Sequence, residues 1–130
     1  MRLLLDTCTF LWFITADGRL PQDIRKSIQS PDHEVWLSVV SFWEILVKHQ
    51  LGRLPLPESP ASYILKQRER HGIDSLALLE NAVGHLTKLP DRHRDPFDRM
   101  LICQAIDRGL TIVTPDPAIH SYPVKVLWES

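Results

Sequence analysis

Phe97-Asp98-Arg99-Met100-Leu101-Ile102-Cys103-Gln104-Ala105-Ile106-Asp107-Arg108-Gly109-Leu110-Thr111-Ile112-Val113-Thr114 changes its hydrophobic period part-way along, and that change decides the fold class. Phe97, Leu101, Ile102, Ala105 and Ile106 recur at the spacing of one helical face. Gly109 follows the last turn, where a left-handed residue ends a helix with least strain. Leu110 then leads into Thr111 to Thr114, a β-branched run too short for a helix and suited to a strand. A helix feeding directly into a strand is the repeating step of a parallel sheet covered by helices.

The same alternation continues in both directions. Arg2 to Leu5 and Val35 to Ser38 read as strands, Ile73 to Leu76 as a weaker one, and Val124 to Leu127 as one suited to an edge. Proline one place inside a polar cap marks two helix starts, Pro60 after Ser59 and Pro96 after Asp95, where the missing N–H costs nothing. The stretch from Leu54 holds Pro55, Pro57 and Pro60 and reads as a rigid connector, since neither flank could bury a core alone. The expectation is therefore an α/β chain of one domain, residues 1–130, around a mostly parallel sheet of four or five strands.

Composition sets outer limits. In 130 residues, 44% are hydrophobic and 24% charged, which suits one buried core. A net charge of -1 gives no bulk attraction to nucleic acid, so binding of that kind would need a local basic patch or metal ions. Cys8 and Cys103 lie far apart in apolar runs, as buried free thiols in a reducing compartment do. The apolar start is interrupted by Asp6 with no small-residue cleavage site after it. No run reaches the roughly 20 apolar residues of a membrane span, so a soluble cytoplasmic protein is expected.

The acids fall in informative places. Asp6 directly follows the first strand and Asp116 comes two residues after Thr114, so both sit at strand carboxyl ends, where open parallel sheets bind ligands. Glu44 falls in the first turn expected for the helix after the second strand, while Asp95 and Asp98 open the Phe97 to Arg108 helix three residues apart, on one face. Carboxylates gathered at one edge repel unless a cation lies among them, and oxygen donors select hard ions such as Mg²⁺ or Mn²⁺. Such an ion can activate water toward a phosphodiester.

Each acid also has a structural reading. Ser41 to Glu44 fits a capping box, Asp95 before Pro96 an N-cap, Asp116 a turn, and Asp98 a helix-dipole contact. Asp6 alone has no obvious structural duty. The six histidines show no paired ligand spacing, and Trp12, Trp36, Trp43 and Trp128 lie in apolar stretches that suit core packing. Arg92, His93, Arg94 and Arg99 form the one compact basic cluster; beside Asp95 and Asp98 it suits phosphate positioning or a solvated loop equally.

Leu3 to Thr7 (LLLDT), Phe42 to Ile45 (FWEI), His93 to Ala105 (HRDPFDRMLICQA) and Leu110 to Asp116 (LTIVTPD) stand in the order found in PIN-domain proteins, and the chain resembles the VapC-type toxins among them. The resemblance implies a three-layer α/β/α sandwich and Mg²⁺- or Mn²⁺-dependent endoribonuclease activity on RNA. It also implies a homodimer and inhibition by a VapB-like antitoxin. By residue-wise carry-over the metal-binding acids are Asp6, Glu44, Asp98 and Asp116, with Asp95 an additional acid and Thr7 and Thr114 in supporting places. Cys8 departs from the histidine common at that position.

Other classes fit less well. A haloacid-dehalogenase-like phosphatase needs a second aspartate where Cys8 stands, and a receiver module needs a lysine where Val126, Leu127 and Trp128 are apolar. A catalytically silent interaction protein and a free-standing nuclease without an antitoxin remain as alternatives.

Overall fold

Leu3, Leu4 and Leu5 are fully buried, which is what an unbroken apolar strand requires when both faces of its sheet are covered. In the computed structural model, which describes residues 1–91 and 95–128, this strand, β1 (Arg2–Leu5), is the centre of the sheet. It pairs in parallel with β2 (Glu34–Ser38) on one side and β4 (Thr111–Val113) on the other. Outside these lie β3 (Asp74–Leu76) and β5 (Lys125–Leu127), giving the order β3-β2-β1-β4-β5. All four pairings are parallel, so the sheet is more uniform than the mostly parallel one expected. The last strand is an edge, as its short apolar run suggested.

The helices are α1 (Thr7–Ile14), α2 (Gln22–Gln29), α3 (Val39–Gln50), α4 (Pro60–Arg70), α5 (Glu80–Gly84), α6 (Pro96–Arg108) and α7 (Pro117–His120), with a 3-10 turn at His85–Lys88. Successive side chains of a strand point to opposite faces, and β1 serves two cores in that way. Leu3 and Leu5 pack with Phe10 and Phe13 of α1, Ile24 of α2 and Ile64 of α4. Leu4 packs with Leu101, Ile102 and Ala105 of α6 and Ile119 of α7. Helix α3 serves both, through Ile45 on one side and Val40 on the other. The result is the α/β/α sandwich.

Most local signals behave as expected, with exceptions at Ser41 and Trp43, and Ser59 stands at the N-cap of α4 without a side-chain capping bond. Pro60 and Pro96 open α4 and α6, and Gly109 closes α6 at φ 66°. The capping box at Ser41 to Glu44 is not formed. Helix α3 begins earlier, at the end of β2, where the Ser38 hydroxyl accepts the Val40 N–H at 3.0 Å. Glu44 therefore sits beyond the first turn, not in it. The second exception is Trp43, which is 58% exposed and packs edge-to-face on Phe97 rather than in the core.

Ser38 also donates to Gln104 Oε1 at 2.5 Å, and Gln104 Nε2 donates to the Ala77 carbonyl at 3.2 Å. This buried amide ties α6 to the β2–α3 junction and to the segment after β3. Gln104→Leu keeps most of the volume but strands the Ala77 carbonyl and one bond of Ser38, and should cost about 2 kcal/mol. Urea unfolding at unchanged m-value checks this, and an unmoved midpoint would show that the network adds nothing.

Candidate active site

Strand order reverses direction at β1: the chain proceeds outward through β2 and β3, then returns to place β4 and β5 on the other side. The crevice outside the carboxyl ends of β1 and β4 is thus the switch point of an open parallel sheet. A cavity of about 390 Å³ includes Asp6, Glu44, Asp95, Asp98 and Asp116 in its lining. Acids from four separate stretches of sequence converge there as their spacing predicted.

Their backbone positions explain how each is held. Asp6 is the N-cap of α1 and accepts the Thr9 N–H at 2.8 Å. It therefore has a structural duty that its sequence context did not suggest. Its other oxygen accepts from the Thr114 hydroxyl at 2.5 Å, and Thr114 Oγ1 in turn accepts the Asp116 N–H at 3.1 Å. Asp95 caps α6, taking the N–H groups of Phe97 at 2.9 Å and Asp98 at 3.2 Å. Asp98 is the third residue of that helix and lines the cavity from its first turn. Asp116 caps α7 by accepting the Ala118 N–H at 2.9 Å.

Glu44 comes in from α3 almost wholly buried. Its Oε1 accepts the Thr7 hydroxyl at 2.6 Å, and its Oε2 meets the Lys48 ammonium at 2.5 Å, one turn along the helix. Thr7 and Thr114 thus each hold one of the two most buried acids. Burial raises the pKa of Asp6 above the ordinary carboxylate value, against the opposing pull of its hydrogen bonds from Thr114, Thr9 and Cys8. Cys8 lies beside Asp6, half-buried in the cavity wall rather than in the core, with its sulfur 3.4 Å from Asp6 Oδ1.

The donor set suits a hard cation, since among the described residues the cavity presents five carboxylates and a threonine hydroxyl, one thiol and no imidazole. As placed, no three His, Cys, Asp or Glu side chains among the described residues are drawn together into a coordinating group. Glu44 and Asp6 are instead engaged by protein donors.

The basic cluster divides. Arg92 and Arg94, with His93, lie outside the described residues. Arg99 donates to the Pro90 carbonyl and to the Tyr122 hydroxyl, both at 3.1 Å, and is not part of the cavity lining. Among the described residues, the cations that line the cavity are Lys48 and Arg53, neither of which sequence reading singles out. The four-residue step from Glu44 to Lys48 was the available signal.

A sequence profile of the PIN domain matches residues 3–125. The chain belongs to the PIN-domain family. A 63-residue stretch is 36% identical to Ribonuclease VapC16 of Mycobacterium tuberculosis and covers 48% of this chain. It spans 45% of that relative, less than half its length. Among solved structures, VapBC2 from Rickettsia felis bound to a DNA fragment from its promoter superposes with a TM-score of 0.74 at 14% identity, covering 99% of this chain and 100% of that one. DNA-bound VapBC from Salmonella typhimurium gives 0.70 at 19% identity, covering 98% and 97%. VapBC-1 from Haemophilus influenzae gives 0.67 at 20%, again covering 98% and 97%. At these identities the likeness establishes the PIN fold. No helix among the described residues is long and apolar enough to cross a membrane.

Two substitutions separate capping from charge. Asp95→Ala should cost ~1 kcal/mol by removing the α6 cap, while Asp95→Asn keeps a capping oxygen and should cost a few tenths. Asp6→Asn also keeps its cap and removes a buried charge, so in EDTA at neutral pH it should be as stable as the parent or more so. Because the folded state holds the Asp6 proton more tightly than the unfolded chain, the penalty of ionising it is present above its raised pKa. That penalty vanishes below the ordinary value of 3.8. Urea melts of parent and Asp6→Asn should therefore converge as pH falls toward that value. A less stable Asp6→Asn at neutral pH would show that the carboxylate is a net structural asset.

Proposed function

We propose that the chain is a divalent-metal-dependent endoribonuclease and the toxin of a toxin–antitoxin pair. The observation that carries this reading is the convergence of Asp6, Glu44, Asp98 and Asp116, with Asp95 beside them, in one cavity at the sheet's switch point. The partial match to a protein named a ribonuclease, and the VapBC assemblies of like fold, support the substrate and partner classes. On this reading RNA is the substrate, a VapB-like antitoxin covers the cavity, and the active form is a homodimer.

Asp6, Asp98, Asp116 and Glu44 would hold Mg²⁺ or Mn²⁺. The bound ion would supply positive charge for the scissile phosphate and make a water nucleophilic near neutral pH. The chain's own part is positioning. The Thr9 N–H and the Thr114 hydroxyl fix the two oxygens of Asp6, and the Asp95 cap fixes the first turn that carries Asp98. Thr7 fixes one oxygen of Glu44. Arg99, hydrogen-bonded to Pro90 and Tyr122, serves the local frame around α6 rather than phosphate contact.

Labelled single-stranded RNA should be cleaved in Mg²⁺ or Mn²⁺, and not in EDTA or by Asp6→Asn. Asp98→Asn should lose at least tenfold in rate with little loss of stability, as removal of an interaction made in the transition state does. Cleavage that persists in EDTA, or in a folded Asp6→Asn protein, would overturn the metal-nuclease reading and favour an interaction protein or a contaminant.

A further inference from the structure

The cavity carries its own cation. Five carboxylates line it, and the ammonium of Lys48 lies 2.5 Å from Glu44 Oε2 while the Thr7 hydroxyl occupies Oε1. The two partners differ in environment: the Glu44 side chain is 5% exposed and that of Lys48 47%. Glu44 is therefore fixed by burial and by Thr7, whereas Lys48 is a tether that can move its head group into solvent. A lysine ammonium is a cation at neutral pH, and this one sits on the inner carboxylate of the cavity.

We infer that Lys48 is a built-in counter-ion that competes with the divalent metal for Glu44 and so sets how tightly the site takes up metal. The inference rests on the reading of the cavity as a metal site. The argument is electrostatic. Without a metal, like charges in one crevice raise the energy of the folded state, and a cation within hydrogen-bond distance of the innermost glutamate lowers it. When a divalent ion draws on the same carboxylate, Lys48 must give up some or all of that contact, and this cost is subtracted from metal affinity. The positive charge then remains at the cavity mouth. Arg53 also lines the cavity and shares its general field, but no hydrogen bond or ion pair to one of its carboxylates is seen. Lys48 is a positioning residue here, acting through Glu44.

The test uses the full chain and Mn²⁺ alone, without RNA, with free Mn²⁺ read by electron paramagnetic resonance and stability by thermal melting. Lys48→Gln should bind Mn²⁺ about three- to tenfold more tightly than the parent, the range a partly solvated contact of this kind supports. Its melting temperature in EDTA should fall, and its gain on adding Mn²⁺ should exceed the parent's. Lys48→Arg keeps the charge and Arg53→Gln removes one outside the contact, so both should stay within about twofold of the parent. Equal or weaker Mn²⁺ binding by Lys48→Gln would overturn the inference. So would equal tightening in Lys48→Arg or Arg53→Gln, since the direct contact with Glu44 would then not be the cause. If the parent itself takes up no Mn²⁺ at millimolar concentration, the metal-site reading fails first and this inference with it.

Discussion

The first N–H groups of a helix have no partner within it, and in this chain that deficit organises the site. Asp6, Asp95 and Asp116 each accept such groups at the starts of α1, α6 and α7. Three carboxylates are thereby fixed by backbone, without long side chains or extra elements to hold them. The same arrangement brings the partly positive ends of these helix starts to one crevice, where they offset some of the mutual repulsion of the acids. Capping and metal-site chemistry are therefore not competing explanations of these residues. An acid held through one oxygen by backbone N–H groups keeps lone pairs for a further partner.

Hydroxyl groups extend this order from single acids to pairs. Thr114 donates to Asp6 and accepts from the backbone of Asp116, so a displacement of β4 would disturb both acids together. Thr7 links α1 to Glu44 on α3. Below them, Gln104 bonds Ser38 and the Ala77 carbonyl and holds α6 against the sheet on the same side as Leu4 and Leu101. The site is thus connected to the core by short buried polar links, which are strong when every member is satisfied.

What could be read from sequence was whatever had a period or an unusual residue to announce it. The apolar runs, Gly109, Pro60 and Pro96 placed the strands and two helices, and the acids after strands pointed to one edge of the sheet. Errors arose where a motif had two equally good local readings. Ser41 to Glu44 satisfies the capping-box pattern, but Ser38 stands at the actual end of β2, and tertiary pairing of that strand decided between them. Trp43 follows the apolar rhythm of its segment, yet α3 turns that position outward, against Phe97. The four-residue step from Glu44 to Lys48 marks a pair on one helix face, but nothing local shows that this face, or Arg53, borders a cavity assembled from distant segments.

Cys8 raises a last electrostatic question, because a thiolate beside Asp6 would add another negative charge to an already acidic crevice. Burial, together with the adjacent Asp6 carboxylate, raises the thiol's pKa well above its usual value, so the sulfur stays protonated. A neutral S–H is a weak donor, and at 3.4 Å and 3.5 Å from the two oxygens of Asp6 it perturbs that carboxylate less than an imidazolium would. A charged ring at position 8 would place a further cation beside Asp6, in addition to Lys48 and Arg53 in the cavity lining. With cysteine there, Lys48 is left as the cation in direct contact with a cavity carboxylate among the described residues. The Glu44–Lys48 contact is thus a pairing of a buried, fixed acid with a half-exposed, flexible cation, and its geometry can change by side-chain rotation alone, without any rearrangement of the backbone.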